Sequence, residues 1–528
     1  MKVSLFQLNS DLGNLKVNSN KIIKASKKAI SEGAEMIITP ELSLCGYPPE
    51  DLLLNNDFIS ECDKYLKKII NAKLPIKIIL GHPKQIGTNL FNAASIIFNG
   101  KILKTYLKQT LPNYGVFDEK RYFKEGDKGL IFNHKRQKIG ILICEDLWVD
   151  EPLKKLISNK VNIIICINAS PFELSKQKQR LERIEKKIKN KKIKLIYLNS
   201  VGGQDDLVFD GGSLIYDGEK NIFNELPQFE EKLKTFNLND LTIQNRLKNS
   251  QIEVLFKGLC LSLKDYLSKN KISKIFIGLS GGIDSAVVLC IAAQIFNKKN
   301  INAIMMPTKY TSNESLRDAK KLAQNLSVNY LVKKIDSLIN KLNNFFNEDF
   351  KNLKEDITEE NLQARARGVI LMAYANKFNG MVLATSNKSE VAVGYATVYG
   401  DMVGGFSVLK DVPKTMVYQL ANFINQKKEI IPQNIISRAP TAELKFNQTD
   451  QDSLPSYDIL DKIIDLVIEQ NLTSKDIIKL GYDAHVVKKV VKSIHANEFK
   501  RRQAAPGPKI TFKAFGKDRR YPITNNFK

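Results

Sequence analysis

One stretch, residues 274–296, constrains this chain more than any other. An apolar strand, KIFIGL, feeds the loop Gly278-Leu-Ser-Gly-Gly-Ile-Asp-Ser285, and a helix over 286–296 follows at once. The strands NAIMMP and MVLAT come later with long helices between them, and a helix over 252–267 leads in. Parallel strands need such crossovers, so the C-terminal half is expected to be α/β, a doubly wound parallel sheet. The three glycines let the backbone approach a ligand closely, and the helix turns its positive end toward the same place. An anion, phosphate first, is the expected ligand. The loop is neither a Walker A, since no GK[ST] closes it, nor G-x-G-x-x-G.

The first 235 or so residues have another rhythm. Short β-like runs (KVSLFQL, EMIITPE, IKIILGH, AASIIFNG, KIGILICED, NIIICINAS, KLIYLNS, GGSLIYDG) alternate with amphipathic helices over 18–31, 50–70, 151–159 and 175–190. Close neighbours such as 76–82 and 93–98 suggest hairpins; the rest suggest βα units, hence a layered α/β domain. A polar stretch, Asn237 to Ser250, separates the halves. The Pro/Gly-punctuated, basic tail RRQAAPGPKITFKAFGKDRRYP cannot form a long helix.

Composition closes several alternatives. At 528 residues the chain can bury large cores, and no run reaches the ~18 to 20 apolar residues of a membrane span. The start, MKVSLFQLNS, reads as a strand and lacks the features of an export signal, so a cytoplasmic enzyme is expected. Lys plus Arg (81) exceed Asp plus Glu (56), giving +25, the sign that nucleic-acid binding needs. Yet the lysines are spread throughout, and the densest run, Lys176 to Lys194, carries Glu182 and Glu185 at helical spacing. A solvated helix face accounts for it, so neither a nucleic-acid nor a membrane partner is expected. The six cysteines form no CxxC pair, and the four histidines (His82, His134, His485, His495) are scattered. Any base must come from another residue type.

Three segments of the N-terminal half carry such chemistry. Glu41 ends the strand-turn MIITPE, Lys108 precedes Leu-Pro-Asn-Tyr-Gly-Val-Phe-Asp-Glu119, and Cys144 ends the strand KIGILIC ahead of Glu145-Asp-Leu-Trp148. Alone, a buried Cys packs as a small hydrophobe, Glu41 caps a turn and Lys108 is a surface charge. Together they place reactive side chains at strand ends that could share a pocket. A cysteine nucleophile needs a base or a cation to favour its thiolate. Glu41 is a credible base, Lys108 a fixed charge beside thiolate and oxyanion, and the Glu145 N–H a second oxyanion donor.

The glycine loop, as SGGxDS between strand and helix, resembles the pyrophosphate loop of the N-type ATP pyrophosphatases, which cleave ATP between its α and β phosphates. Asn361-Leu-Gln-Ala-Arg-Ala-Arg367, Thr385-Ser-Asn-Lys-Ser-Glu390 and Tyr399-Gly-Asp-Met-Val-Gly-Gly405 follow in order. This set is similar to the NAD+ synthetase family over residues 251–528. The resemblance implies an adenine nucleotide alpha hydrolase-like fold. It makes Gly278, Leu279, Ser280, Gly281, Gly282, Ile283, Asp284, Ser285, Thr385, Lys410 and Thr441 (in Pro440-Thr-Ala-Glu-Leu444) the ATP contacts. Asp284 becomes a Mg²⁺ ligand and Glu390 a second metal or substrate ligand. Asn361, Arg365, Glu390 and Lys500 become contacts to nicotinic acid adenine dinucleotide. Shorter, ammonia-only members carry Lys near the position of Val398, so the dinucleotide grip is expected to differ in detail.

The motifs PELxLxGYPPEDLL, KxxLPNYxVFDExRYF and GxxICEDxW resemble the nitrilase superfamily, and within it the glutaminase domain fused to NAD+ synthetases. That resemblance implies an α-β-β-α sandwich over 1–240, a linker and leading helix over 241–265 and a synthetase domain over 266–528. It makes Glu41, Lys108 and Cys144 a catalytic triad, Tyr114, Ser170 and Lys176 glutamine contacts, and Glu119 a supporting carboxylate. The implied reaction amidates the dinucleotide with ammonia from L-glutamine, releasing AMP, pyrophosphate and glutamate. Ammonia protonates in bulk water, so a shielded passage is expected; the resemblance also implies a homo-oligomer, an octamer in the family. Three other readings stand beside this one. A GMP synthetase would need a Cys-His-Glu glutaminase, which the N-terminal half argues against. The others are an amidase fused to a regulatory nucleotide module and a basic RNA-binding protein.

Overall fold

The computed structural model describes residues 1–242 and 249–525, so residues 243–248 of the expected linker lie outside the described residues. The chain divides into two compact units, Met1–Asn249 and Ser250–Lys528.

The first unit is built on two six-stranded sheets. One runs, edge to edge, Lys232–Asn237, Lys2–Gln7, Met36–Ile38, Lys77–Ile86, Asn89–Phe98, Lys101–Leu107. The other runs Ile222–Glu225, Leu214–Asp217, Lys194–Asn199, Ile163–Asn168, Gln137–Ile143, Leu130–His134. Strand alternation assigns each face its layer. Ile139, Ile141, Ile143, Ile163, Ile165 and Ile167 meet Val3, Leu5, Ile38 and Ile79 between the sheets. Leu142, Ile164, Cys166 and Leu195 point the other way, onto Leu153, Leu156, Ile184 and Ile188 of the helices Asp150–Ser158 and Lys176–Ile188. Helices Leu15–Ser31 and Asn56–Asn71 cover the first sheet, packing Ile22, Ala29, Ile59 and Ile69 with Ile37, Ile78 and Leu80. The result is the α-β-β-α sandwich. Strands buried on both faces read as continuous apolar runs, which is why IIICIN looks as it does.

The second unit holds a five-stranded parallel sheet in the order Asn329–Val332, Ile301–Met305, Ile275–Gly278, Met381–Ala384, Phe406–Ser407. In chain order that is 3-2-1-4-5, so the direction of winding reverses between Ile275–Gly278 and Met381–Ala384. Open α/β sheets bind ligands at such a switch point, beyond the carboxyl ends of the strands. Helix Ile283–Ile295 is apolar all round because it packs among the helices Gln251–Lys269 and Lys414–Asn425 as well as the sheet. The opposite face is covered by Asp336–Phe345 and Ile357–Lys377, which pack Ile339, Ala366 and Leu371 with Phe276 and Val382. C-terminal helices form a separate apolar cluster around Leu460, Ile463, Val487 and Ile494. No helix among the described residues is long and apolar enough to cross a membrane.

Several expected boundaries move. The helix expected over 286–296 begins at Ile283, which puts Asp284 and Ser285 in its first turn. Residues 50–54 form a 3-10 turn rather than α-helix; the helix proper starts at Asn56, where the Asn55 side chain accepts from the Asp57 and Phe58 N–H groups. The leading helix, Gln251–Lys269, lies within the second unit, where Phe256 packs on Phe423.

Candidate active sites

In the first unit four strand ends deliver one cluster. Glu41 follows Met36–Ile38 on a segment pressed against Gly81 of the neighbouring strand. A Cβ there would lie 2.2 Å from the Pro40 carbonyl oxygen and 2.6 Å from the Leu42 nitrogen, so only glycine permits the approach. Glu41 Oε1 accepts from Lys108 Nζ at 2.7 Å and from Asn92 Nδ2 at 2.8 Å, while Oε2 accepts from the Ala169 N–H at 2.9 Å. Lys108 follows Lys101–Leu107 and spends its remaining donors on Glu119, at 2.9 and 2.8 Å. Tyr47 Oη donates to the same carboxylate at 2.9 Å. All three ionic groups are buried.

Cys144 follows Gln137–Ile143 with φ +46°, left-handed backbone that a non-glycine residue adopts at a cost of about 1–3 kcal/mol. Asp146 holds this elbow. One oxygen accepts from the Ile143 N–H and Tyr106 Oη, the other from the N–H groups of Gln109 and Thr110, just after Lys108. One buried carboxylate thus ties the thiol strand to the lysine strand. Electrostatics fit the geometry. Burial pushes the Cys144 thiol well above its ordinary value and Glu41 adds to this, while Lys108 opposes. Burial works against the Lys108 ammonium, but Glu119 and Glu41 outweigh it and hold the group protonated. Glu119 is pushed up to about 7 by burial, against the pull of Lys108.

Of the expected glutamine contacts, Tyr114 and Ser170 neighbour this cluster. Tyr114 is exposed and donates to Glu145, the residue after Cys144, at 2.9 Å. Ser170 follows Ala169 and accepts from Arg180, which is itself paired with Asp210. Lys176 opens its helix and pairs with Glu173 at 2.7 Å. Asn92, Tyr47 and Asp146 join the site without having been singled out: Tyr47 and Asp146 stand inside the motifs PELxLxGYPPEDLL and GxxICEDxW, whereas Asn92 has no local signal.

In the second unit a cavity of about 270 Å³ sits at the switch point. Gly278, Leu279, Ser280, Gly282, Ile283, Asp284 and Ser285 line it, as do Thr385, Glu390 and Thr441. Gly281 turns away at φ +82°, with the Ser315 backbone 2.8 Å from where its Cβ would be. Lys414 Nζ stands between two carboxylates of the cavity, 2.5 Å from Asp284 and 3.0 Å from Glu390. Asn387 donates to Asp284 at 2.8 Å and caps the helix Lys388–Val393. Burial raises Glu390 to about 7, aided by Asp284 and Asp450 and opposed by Lys414. Asp284 and Glu390 are the two carboxylates of the cavity that could hold a divalent cation, hard oxygens being what Mg²⁺ takes, and Lys414 lies between them.

Besides Gly281, four expected contacts do not line the cavity. Lys410 donates to the Ala505 carbonyl, and Lys500 to the carbonyls of Gly394 and Ala396. Asn361 accepts from Thr397, and exposed Arg365 donates to the Val398 carbonyl. The lysine at the cavity is Lys414, four residues on, because the turn ahead of helix Lys414–Asn425 directs it inward.

Residues 2–246 match the carbon-nitrogen hydrolase family and residues 255–504 the NAD synthase family. The glutamine-dependent NAD(+) synthetase of Acinetobacter baylyi is 42% identical over 540 residues, covering 100% of this chain and 99% of the relative. The chain belongs to the glutamine-dependent NAD(+) synthetases. The Thermotoga maritima member of this family is 41% identical over 100% of this chain and 99% of its own length. Among solved structures, the Acinetobacter baumannii glutamine-dependent NAD+ synthetase in complex with ADP is 40% identical, with TM-score 0.80 over 99% of this chain and 98% of that one. The Cytophaga hutchinsonii enzyme, at 22% identity and TM-score 0.87 over 99% of this chain and 98% of that one, shares the fold.

Proposed function

We propose that this synthetase splits its reaction between the two units: glutamine is hydrolysed at Cys144, and nicotinic acid adenine dinucleotide is adenylated and amidated at the glycine loop. The overall reaction, NAD+ synthesis with glutamine as amide donor, follows from the family. The observation that carries the division is the buried Glu41–Lys108–Glu119 cluster beside the Cys144 elbow, for which a synthetase fed by free ammonia would have no use.

At rest the Cys144 thiol stays protonated, since burial and the Glu41 charge both raise it. Attack on the carboxamide therefore needs a base at that moment. Glu41, held through both oxygens, takes the thiol proton and passes it to the departing ammonia. Lys108 and the Glu145 N–H stabilise the oxyanion, and water then frees glutamate from the thioester. Tyr114, Ser170 and Lys176 would grip the amino-acid end of glutamine.

In the second unit the nicotinate carboxylate attacks the α-phosphorus of ATP, pyrophosphate leaves, and ammonia displaces AMP from the mixed anhydride. The ADP complex of the Acinetobacter baumannii relative supports use of an adenine nucleotide. The glycine loop, Thr385 and Thr441 would hold the nucleotide. Lys414 would take the place given to Lys410, since it lines the cavity and Lys410 does not. Asp284 and Glu390 would hold Mg²⁺, which, when bound, offsets phosphate charge. Asn361, Arg365 and Lys500 are left as candidate dinucleotide contacts. Six unpaired cysteines accord with a reducing, cytoplasmic setting. A homo-oligomer is the expected assembly, which light scattering of the purified chain tests.

The deciding variant is Cys144→Ala. Glutamine-driven NAD+ formation should vanish while ammonia-driven formation persists, and loss of both would defeat the division.

A further inference from the structure

Arg438 closes the short helix Gln433–Ser437 and reaches the back of the glycine loop, where its Nη2 donates to the Gly281 carbonyl at 2.8 Å. Its Nη1 is buried and has no hydrogen-bond partner among the described residues. The side chain lines the same cavity as Ser280, Gly282 and Ser285. Among the described residues no carboxylate pairs with it, whereas Lys414 is committed to Asp284 and Glu390. A buried donor without an acceptor is unfavourable, and a guanidinium cannot shed its proton to escape. Such a group persists where an incoming ligand completes it.

We propose that Arg438 is a catalytic residue of adenylation, donating through Nη1 to the pyrophosphate as it leaves. This rests on the ATP-cleaving reading given above. In that step the carboxylate oxygen forms a bond to the α-phosphorus, and the bond from that phosphorus to the bridging oxygen breaks. The electron pair leaves on the pyrophosphate, so negative charge grows there. Nη1–H meets that charge, while Nη2 keeps the loop in register through Gly281. Pyrophosphate, with its closely spaced oxygens and high charge, is the chemical class that suits a guanidinium fork.

The test uses the full chain and exchange of labelled inorganic pyrophosphate into ATP, with nicotinic acid adenine dinucleotide present and ammonia absent. Arg438→Met should raise the half-saturating pyrophosphate concentration about tenfold or more, with inhibition by AMP changed less than about twofold. Arg438→Lys should recover part of the loss. Unchanged pyrophosphate dependence, or equal weakening of pyrophosphate and AMP, would overturn the assignment by reducing Arg438 to a bystander or a loop strut. Should Arg438→Met lack the wild-type unfolding transition, Arg438→Lys alone decides: a weaker shift in the same direction supports the role, and none refutes it. Absence of exchange in the wild type would sink the ATP-cleaving reading itself, and this proposal with it.

Discussion

Each unit sets a lysine between two carboxylates, and the two settings differ in what can reach them. Lys108 lies 2.7 Å from Glu41 and 2.8 Å from Glu119, and the side chains are 0%, 0% and 5% exposed. Lys414 lies 2.5 Å from Asp284 and 3.0 Å from Glu390, but there both carboxylates are 17% exposed and face a cavity. Sealed from water, the first ammonium stays protonated, and no solvent ion can reach it to replace it. At the second site solvent and small ions can reach the Asp284 and Glu390 carboxylates through the cavity. The same three charges are thus closed to solvent in one place and open to it in the other. Solvent access, not residue type, makes the difference.

The largest expected effect comes from Lys108→Met. Removing one partner from a buried ionic cluster costs about 3–5 kcal/mol, so unfolding should come several degrees earlier. Glutamine-driven turnover should fall by about 10³-fold or more, while the folded fraction keeps ammonia-driven turnover. Lys414→Met should lower both activities together, by about 10²-fold, and destabilise less, because its carboxylates can hydrate. If Lys414→Met spared the ammonia-driven reaction, the contrast between the sites would fail.

A pH series sharpens the comparison. Glu119 rises from an ordinary 4.5 to about 7 in the folded chain, so folding takes up a proton between those values. Stability owed to this group is full below about 4.5 and is lost as pH climbs through about 7. Glu119→Gln, read by thermal unfolding against wild type, should flatten that decline. Glu390 has the same range but remains in both proteins, so it cancels. The smallest effect is expected at Lys410: Lys410→Met should change the KM for ATP by less than about threefold, since the side chain ends on the Ala505 carbonyl. A larger change would return ATP contact to Lys410.

What could be read in advance follows one rule. Every strand interior to the three large sheets stood out in the sequence, from KVSLFQL to MVLAT, because each is apolar on one or both faces. None of their edge strands did. Lys101–Leu107 is mostly exposed and carries Lys101 and Lys104; Asn329–Val332 and Lys232–Asn237 are likewise half solvated. An edge strand is held by backbone pairing, which leaves little trace in side chains. One of those unseen strands delivers Lys108.

The motifs in the sequence determined the groups available: a thiol, a carboxylate and a cation in one half, a glycine loop opening a helix in the other. Which lysine enters the switch-point cavity, which amides and hydroxyls hold Glu41 and Glu119, and which of two like-charged clusters is closed to solvent were decided by tertiary structure. Motifs record residues near one another along the chain. Burial and hydrogen bonding depend on residues of Asn89–Phe98 and those just after Lys101–Leu107 reaching the segments that follow Met36–Ile38 and Gln137–Ile143, and that convergence is set by packing.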